Sequence, residues 1–242
     1  MTTRRPALLA WSGGKDAAWS LHVLRQRAQV EVVGLLATVS ADDGRATGQG
    51  VRGEVLRAQA YAAGLPLLEA PLPAACGNNA YLQRMTLALQ TAAARWPGLD
   101  TIAFGDLLLA DVRAWREAQM ARIGWRIETP LFGSDTAALA RAMLRGGLGA
   151  ALSCVDTRQL DAGFAGRAFD EGLLADLPAG VDPCGENGEF HTCVHVGPMF
   201  DAPLALVRGE TRRQDFGAPA PEPGQARFAV TDFAPAPPAT GF

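Results

Sequence analysis

Near its start the chain runs Ala7-Leu8-Leu9-Ala10-Trp11-Ser12-Gly13-Gly14-Lys15-Asp16-Ala17-Ala18. The apolar residues Ala7–Trp11 end on Ser-Gly-Gly, and Ala17, Ala18, Leu21, Leu24 and Ala28 then recur on one helical face. That order reads as a buried strand, a tight turn and a helix. In such a unit the first strand-to-helix turn places backbone N–H groups and the positive end of the helix dipole beside an anion. Gly13 and Gly14 let the main chain come close to a phosphate and permit positive φ, and Lys15 offers a point charge. The dipole contributes only about 0.3–1 kcal/mol, so the N–H groups and Lys15 are expected to carry the binding. Neither the Gly-x-x-x-x-Gly-Lys-Ser/Thr loop nor the Gly-x-Gly-x-x-Gly turn is present.

Outward from this turn the pattern repeats. Strands are expected at Val30 to Val39, Pro66 to Ala70 and Thr101 to Phe104. Helices are expected at Arg52 to Ala63, closed by Gly64, at Asn79 to Arg95, and at Leu108 to Ile123 with Leu108, Val112, Trp115 and Ile123 on its apolar face. Alternating strands and helices imply an α/β, Rossmann-like parallel sheet with helices on both faces. Beyond about Gly133 the rhythm changes: a helix over Thr136 to Arg145 and a strand near Ala150 to Val155 lead into a Gly, Pro and Asp-rich segment, expected to form a smaller C-terminal α+β domain. The expected division is 1–133 for anion binding, 134–233 for an acceptor substrate, and a Pro-rich tail over 234–242. Ala218-Pro219-Ala220-Pro221-Glu222-Pro223-Gly224 and Ala234-Pro235-Ala236-Pro237-Pro238 are poor material for a helix or a central strand.

Bulk properties narrow the class. With 242 residues, 48% of them hydrophobic, the chain can bury one large core or two modest ones. A formal net charge of -3 argues against a nonspecific nucleic-acid binder, so nucleic acid is not an expected partner. Cys76, Cys154, Cys184 and Cys193 include no Cys-x-x-Cys pair, which suits reduced thiols and a cytoplasmic location. Ala7–Trp11 is too short an apolar stretch for a signal-peptide core or a membrane span, so no membrane is expected. Lys15 is the only lysine.

Two further motifs carry chemistry. Phe104-Gly105-Asp106 ends an expected strand, so the carboxylate of Asp106 falls near the phosphate loop, where it can help hold Mg2+ on a polyphosphate. The helix that follows carries Asp111, Arg113, Arg116 and Glu117, which read either as a substrate-binding face or as a solvated face of intrahelical pairs. Downstream, Asp182-Pro183-Cys184-Gly185-Glu186-Asn187-Gly188-Glu189-Phe190-His191-Thr192 gathers carboxylates, an amide, an imidazole and a thiol in one glycine-rich turn. A zinc site from Cys184, His191, Cys193 and His195 is not expected, because their intervals match no common structural spacing.

Taken together, Ser12 to Asp16, Gly105-Asp106-Leu107 with Asp111 to Glu117, Pro130-Leu131-Phe132-Gly133 before Asp135-Thr136, and Cys184 to Thr192 resemble the diphthine:ammonia ligase family. That family is a branch of the N-type ATP pyrophosphatases with an adenine nucleotide alpha-hydrolase-like fold. Ala17 stands where the pyrophosphate-loop pattern has a serine, and Thr47 to Leu56 and Gly185 to His191 look like the bacterial branch. The resemblance implies an ATP- and Mg2+-dependent ligase. It would adenylate a carboxylate, release pyrophosphate, and let ammonia or an amine displace AMP.

On that reading Ser12, Gly13, Gly14, Lys15, Asp16 and Gly105 bind the nucleotide, and Asp16 or Asp106 lies beside the metal. Lys15, Asp106, Glu186, Glu189 and His191 serve catalysis, with His191 or Glu189 moving a proton. Arg113, Arg116, Cys184, Gly185, Asn187 and Thr192 hold the acceptor. Two rivals remain: a tRNA-modifying pyrophosphate-loop enzyme, which predicts a thiolate pair and a basic extension, and an ATP-binding regulatory module without turnover. The sequence leaves room for a homodimer.

Overall fold

The structure is a computed structural model that describes residues 4–27, 29–73, 76–215 and 227–237. Its first sheet contains β1 (Arg5–Ala10), β2 (Val30–Ser40), β3 (Leu67–Leu72), β4 (Thr101–Ala103) and β5 (Arg126–Glu128). The strands are all parallel, in the order β3-β2-β1-β4-β5. Buried on both faces, β1 and β2 read as nearly continuous apolar runs. Ala7, Leu9, Leu35, Ala37 and Val39 point into one core, and Leu8 and Leu36 into the other.

Helices α1 (Lys15–Gln26) and α2 (Gly53–Ala62) cover the first of these faces, through Leu21, Leu24, Val55 and Leu56. Helices α3 (Asn78–Arg95) and α4 (Ala110–Arg122) cover the second, through Met85, Leu89 and Met120. Strand order reverses between β1 and β4, so the turns after these two strands flank the crevice where ligands bind in open parallel sheets. The Rossmann-like arrangement expected from the sequence is the one observed.

Two details differ. β5 was not expected, since three residues give too short a stretch for a strand pattern to register. The apolar spacing assigned to Leu108–Ile123 does not form a buried face: Leu108 is 48% exposed and Ile123 36%, and Met120 is the helix residue in the core. Val112 and Trp115 from the same stripe line a cavity instead.

The remainder of the chain folds as α5 (Thr136–Arg145), β6 (Gly149–Asp156), a single 3-10 turn at Ala162–Phe164, α6 (Glu171–Asp176), β7 (Phe190–Val196), β8 (Leu206–Gln214) and β9 (Phe228–Pro235). Asp135 starts α5 by accepting from Ala138 N at 2.7 Å, and Asp170 starts α6 by accepting from Leu173 N at 2.7 Å. The four strands make an antiparallel sheet, β7-β6-β9-β8, within the expected α+β domain.

Ala234 and Pro235, expected in the tail, instead pair with Val207 and Leu206 as the last residues of the interior strand β9. A proline is tolerated there because it forfeits only a terminal ladder bond. The stretch 218–224 and residues 238–242 lie outside the described residues, as does Ala28.

The two sheets do not keep separate cores. α1 and α2 lie between them, and one continuous apolar cluster runs from Ala7 and Leu9 through Leu56 to Phe190, Cys193 and Phe233. Asp232 on β9 adds a polar tie, receiving Arg45 at 2.9 Å and Arg52 from the segment that leads into α2. Among the described residues, no helix is long and apolar enough to cross a membrane.

Candidate nucleotide-binding site

The loop Ser12–Gly14 follows β1 and enters α1 as expected. Gly13 has φ 80°, a conformation that favours glycine, and a Cβ there would also strike Gln59 and Leu56 at 2.9 Å. Gly14 is the N-cap and supplies no side chain, so the N–H groups of the first turn look outward for partners. Ser12 Oγ accepts weakly from Gly14 N at 3.3 Å, and Thr192 Oγ1 accepts from Lys15 N at 3.0 Å. Ala17 is buried in the first turn.

The loop is braced from below by the antiparallel sheet. β7 is an outer strand, and at Val194 its free edge faces the loop: Val194 N donates to Gly13 O at 3.0 Å. Gln59, fully buried on α2, completes the brace. Its Nε2 donates to Gly13 O at 3.0 Å and to Val194 O at 2.7 Å, and its Oε1 accepts from Trp11 Nε1 at 3.0 Å. Sequence reading did not single out Gln59. The available signal was an amide on the apolar face formed by Val55, Leu56, Ala60 and Ala63.

Lys15 was expected on phosphate oxygens, but its ammonium faces inward. The residue is 2% exposed, and Nζ donates to Asp16 at 2.8 and 3.0 Å and to the Cys184 carbonyl. Burial works against its charge, yet Asp16, Cys184 and Glu186 outweigh that and leave its pKa above the ordinary lysine value.

The turn after β4 meets the same helix end. A Cβ on Gly105 would lie 2.9 Å from the Asp16 carbonyl carbon and 3.0 Å from Ala17 N, so only glycine allows this approach. Asp106 receives Arg116 Nη1 on both oxygens at 3.0 Å. Burial raises the Asp106 pKa, Arg116 opposes that, and the nearby Asp16 adds to the rise. Arg116 also stacks 4.2 Å above the Phe104 ring and lines the cavity. Arg113 does not join it: this guanidinium pairs with Glu117 at 2.9 Å and lies over Phe132, as the solvated-face reading anticipates.

The third motif is largely self-satisfied. Glu189 is 2% exposed; its Oε1 accepts from Asp182 N and Asn187 Nδ2, and its Oε2 from Asn187 N, each at 2.9 Å. Held by three hydrogen bonds within its own turn and absent from the cavity lining, Glu189 organises the turn and does not face a substrate. Glu186 reaches across to the second motif, where Oε1 accepts from Leu107 N at 3.0 Å and Leu108 N at 2.9 Å. Burial raises its pKa, partly offset by those two N–H groups. Gly185 has φ 69°, and a Cβ there would lie 2.6 Å from the Phe190 carbonyl oxygen. Thr136 Oγ1 donates to Asp182 at 2.6 Å, fixing the turn against α5.

His191 presents its imidazole to the cavity without a hydrogen-bond partner among the described residues. Burial, with help from Lys15, lowers its pKa to about 4, so it is uncharged at neutral pH. Cys184 is buried with its Sγ at 3.3 Å from the Thr136 carbonyl oxygen. Burial pushes the thiols of Cys154, Cys184 and Cys193 up to about 12, which does not supply the thiolate pair of a thiolating enzyme. Among the described residues, no group of three His, Cys, Asp or Glu side chains could hold a metal by itself.

The three motifs open on one cavity of about 960 Å³, large for a small-molecule site. Ser12, Gly14, Lys15, Asp16 and Ala17 line it from β1 and α1, Gly105, Asp106 and Arg116 from the second motif, and Cys184–Asn187, His191 and Thr192 from the third. Leu36, Leu72 and Met85 supply an apolar wall. Trp115 and Tyr81, with ring centroids 6.2 Å apart, add an aromatic pair that sequence reading had placed as ordinary helix residues. Gln49, also missed, leaves its buried Oε1 without a hydrogen bond beside Gly14.

Comparison with known proteins bears on the half of the site that closes over the loop. No curated protein matches the chain. Residues 135–217 match the family model described as the diphthamide synthase C-terminal domain, a stretch that contains α5, β6, β7, β8 and the whole third motif. Through this carboxy-terminal domain the chain is similar to the diphthamide synthase family.

Proposed function

We propose that the protein is an ATP-dependent carbon–nitrogen ligase that cleaves ATP between the α and β phosphorus atoms to activate a carboxylate, which ammonia or an amine then converts to an amide. The observation that supports this reading is the convergence of all three motifs on one cavity at the β1/β4 switch point. On this reading the Ser12 hydroxyl and the first-turn N–H groups of α1 hold the phosphates. Leu36, Leu72 and Met85 offer the apolar surface a base needs.

Asp16 and Asp106 both line the cavity and are close enough for the charge of Asp16 to raise the Asp106 pKa. Two hard oxygen donors beside a polyphosphate fit Mg2+, which takes one or two carboxylates and completes its shell with phosphates and water. When bound, Mg2+ supplies charge neutralisation at the phosphates. Arg116, held against Asp106, lies where a second positive charge can meet the leaving pyrophosphate. Across the cavity the uncharged His191 ring can accept a hydrogen bond from the nitrogen nucleophile and take its proton as the C–N bond forms.

The test is incubation of the full chain with ATP, Mg2+ and a panel of carboxylates with ammonium or amines. AMP and pyrophosphate in equal amounts support the reading, and ADP with inorganic phosphate overturns it.

A further inference from the structure

Lys15 is the only lysine of the chain, and its environment differs from that of a phosphate ligand. Its ammonium is enclosed by the Asp16 carboxylate, the Cys184 carbonyl, and the rings of Phe169 and Phe190, whose centroids lie 5.8 and 5.6 Å away. Its own main-chain N–H is taken by Thr192 Oγ1. To reach a phosphate the side chain would abandon two hydrogen-bond acceptors and two aromatic faces, and would strand a buried carbonyl. The contacts continue beyond Cys184: two residues on, Glu186 accepts from Leu107 and Leu108 in the turn after β4. Lys15 thus links the start of α1 to the third motif, and through Glu186 to the second.

We infer that Lys15 is a positioning residue that fixes the Cys184–Glu186 turn against the phosphate loop, and that it does not ligate phosphate. The turnover arm of the following test rests on the ligase reading and the resonance and affinity arms on its nucleotide binding, whereas the amide-exchange arm rests on neither.

In protein labelled with ε-15N lysine, the single ammonium resonance reports on Lys15 without any substitution. The inference expects a slowly exchanging signal that stays slowly exchanging when Mg-ATP is added, even as a metal on Asp16 shifts it. Loss of that slow exchange on Mg-ATP addition overturns it, because a phosphate ligand must leave its enclosed place beside the Cys184 carbonyl. In the Lys15→Met variant the Kd for Mg-ATP is expected to stay close to wild type, whereas removal of a charge-assisted phosphate contact would weaken it about ten-fold or more. The same variant should exchange the Leu107 and Leu108 amides at least about ten-fold faster, the effect of a lost protecting interaction, while Leu35 amide exchange is unchanged. Unaltered Leu107 and Leu108 exchange overturns the inference, even with normal nucleotide affinity. For turnover, kcat for AMP formation should fall while nucleotide affinity holds. A wild-type protein that binds Mg-ATP but forms no AMP defeats the ligase reading, and the resonance, affinity and exchange arms still decide Lys15; one that binds no Mg-ATP defeats the nucleotide reading, and amide exchange alone decides Lys15.

Discussion

Replacing Gln59 with leucine tests the brace beneath the Ser12–Gly14 loop. The substitution nearly conserves volume in a fully buried site, so little of its effect comes from packing. Three hydrogen bonds disappear, with different consequences. Gly13 O keeps the bond from Val194 N, but Trp11 Nε1 and Val194 O lose the partner that Gln59 provides. Each buried polar group left without a partner costs about 1–3 kcal/mol, so Gln59→Leu should destabilise by about 2–6 kcal/mol. For a chain of this length that corresponds to a fall in Tm on the order of 10 °C.

Denaturant unfolding of wild type, Gln59→Leu, Trp11→Phe and the double variant separates the terms. Trp11→Phe removes the stranded indole N–H, so the double variant should lose less than the sum of the singles. Below the unfolding transition, Gln59→Leu should also weaken Mg-ATP binding, since Gly13 is then held by one bond. A loss of under about 1 kcal/mol, within the range of surface changes, with strictly additive singles would refute the reasoning.

Gly105→Ala should push the turn after β4 away from α1, because all three close contacts of the added carbon are main-chain atoms of Asp16 and Ala17. A cost of roughly 1–3 kcal/mol is expected in urea unfolding, with weaker Mg-ATP binding by calorimetry. His191 is held near pKa 4 when folded and titrates near 6.5 when unfolded, so the unfolded chain binds the extra proton between those values. Its contribution to stability is full above about pH 6.5 and is lost as pH falls towards 4; His191→Gln should flatten that slope in denaturant midpoints measured across the window. Burial pushes Asp156 up, but Arg227, Arg158 and Gln159 more than reverse this and leave its pKa below the ordinary carboxylate value. Its stabilisation should therefore hold above about pH 4 and fade in more acid solution, a loss that Asp156→Asn should not show in the same acid titration.

The parallel half was legible because its signals are local. The apolar run into Ser12-Gly13-Gly14 and the spacing of Leu21 and Leu24 report strand, turn and helix without reference to the rest of the chain. Gly105 and Asp106 could be placed by the rule that parallel strands end at the ligand crevice. What escaped depended on partners far away in sequence. Lys15 has the same identity whether it reaches a phosphate or a carbonyl, and only the fold brings Cys184 to it. Glu186 and Glu189 both read as reactive carboxylates, yet one braces another motif and the other is consumed by its own turn. β8 gave no alternating pattern, since its side chains are exposed on both faces. Strand β9 was obscured by the prolines around it, although the only one it contains falls at its end.

The edge of β7 has a consequence for how the molecule could be divided. At Val194 the outer N–H and C=O of the antiparallel sheet end on Gly13 and Gln59, so the Ser12–Gly14 loop also stoppers a strand edge. A cut after residue 133 would strip the loop of its support and bare a short β-template able to recruit another copy. The junction between the two sheets is therefore a poor place to halve the chain: the amino-terminal piece would lose the shape of its loop, and the carboxy-terminal piece its guard against self-assembly.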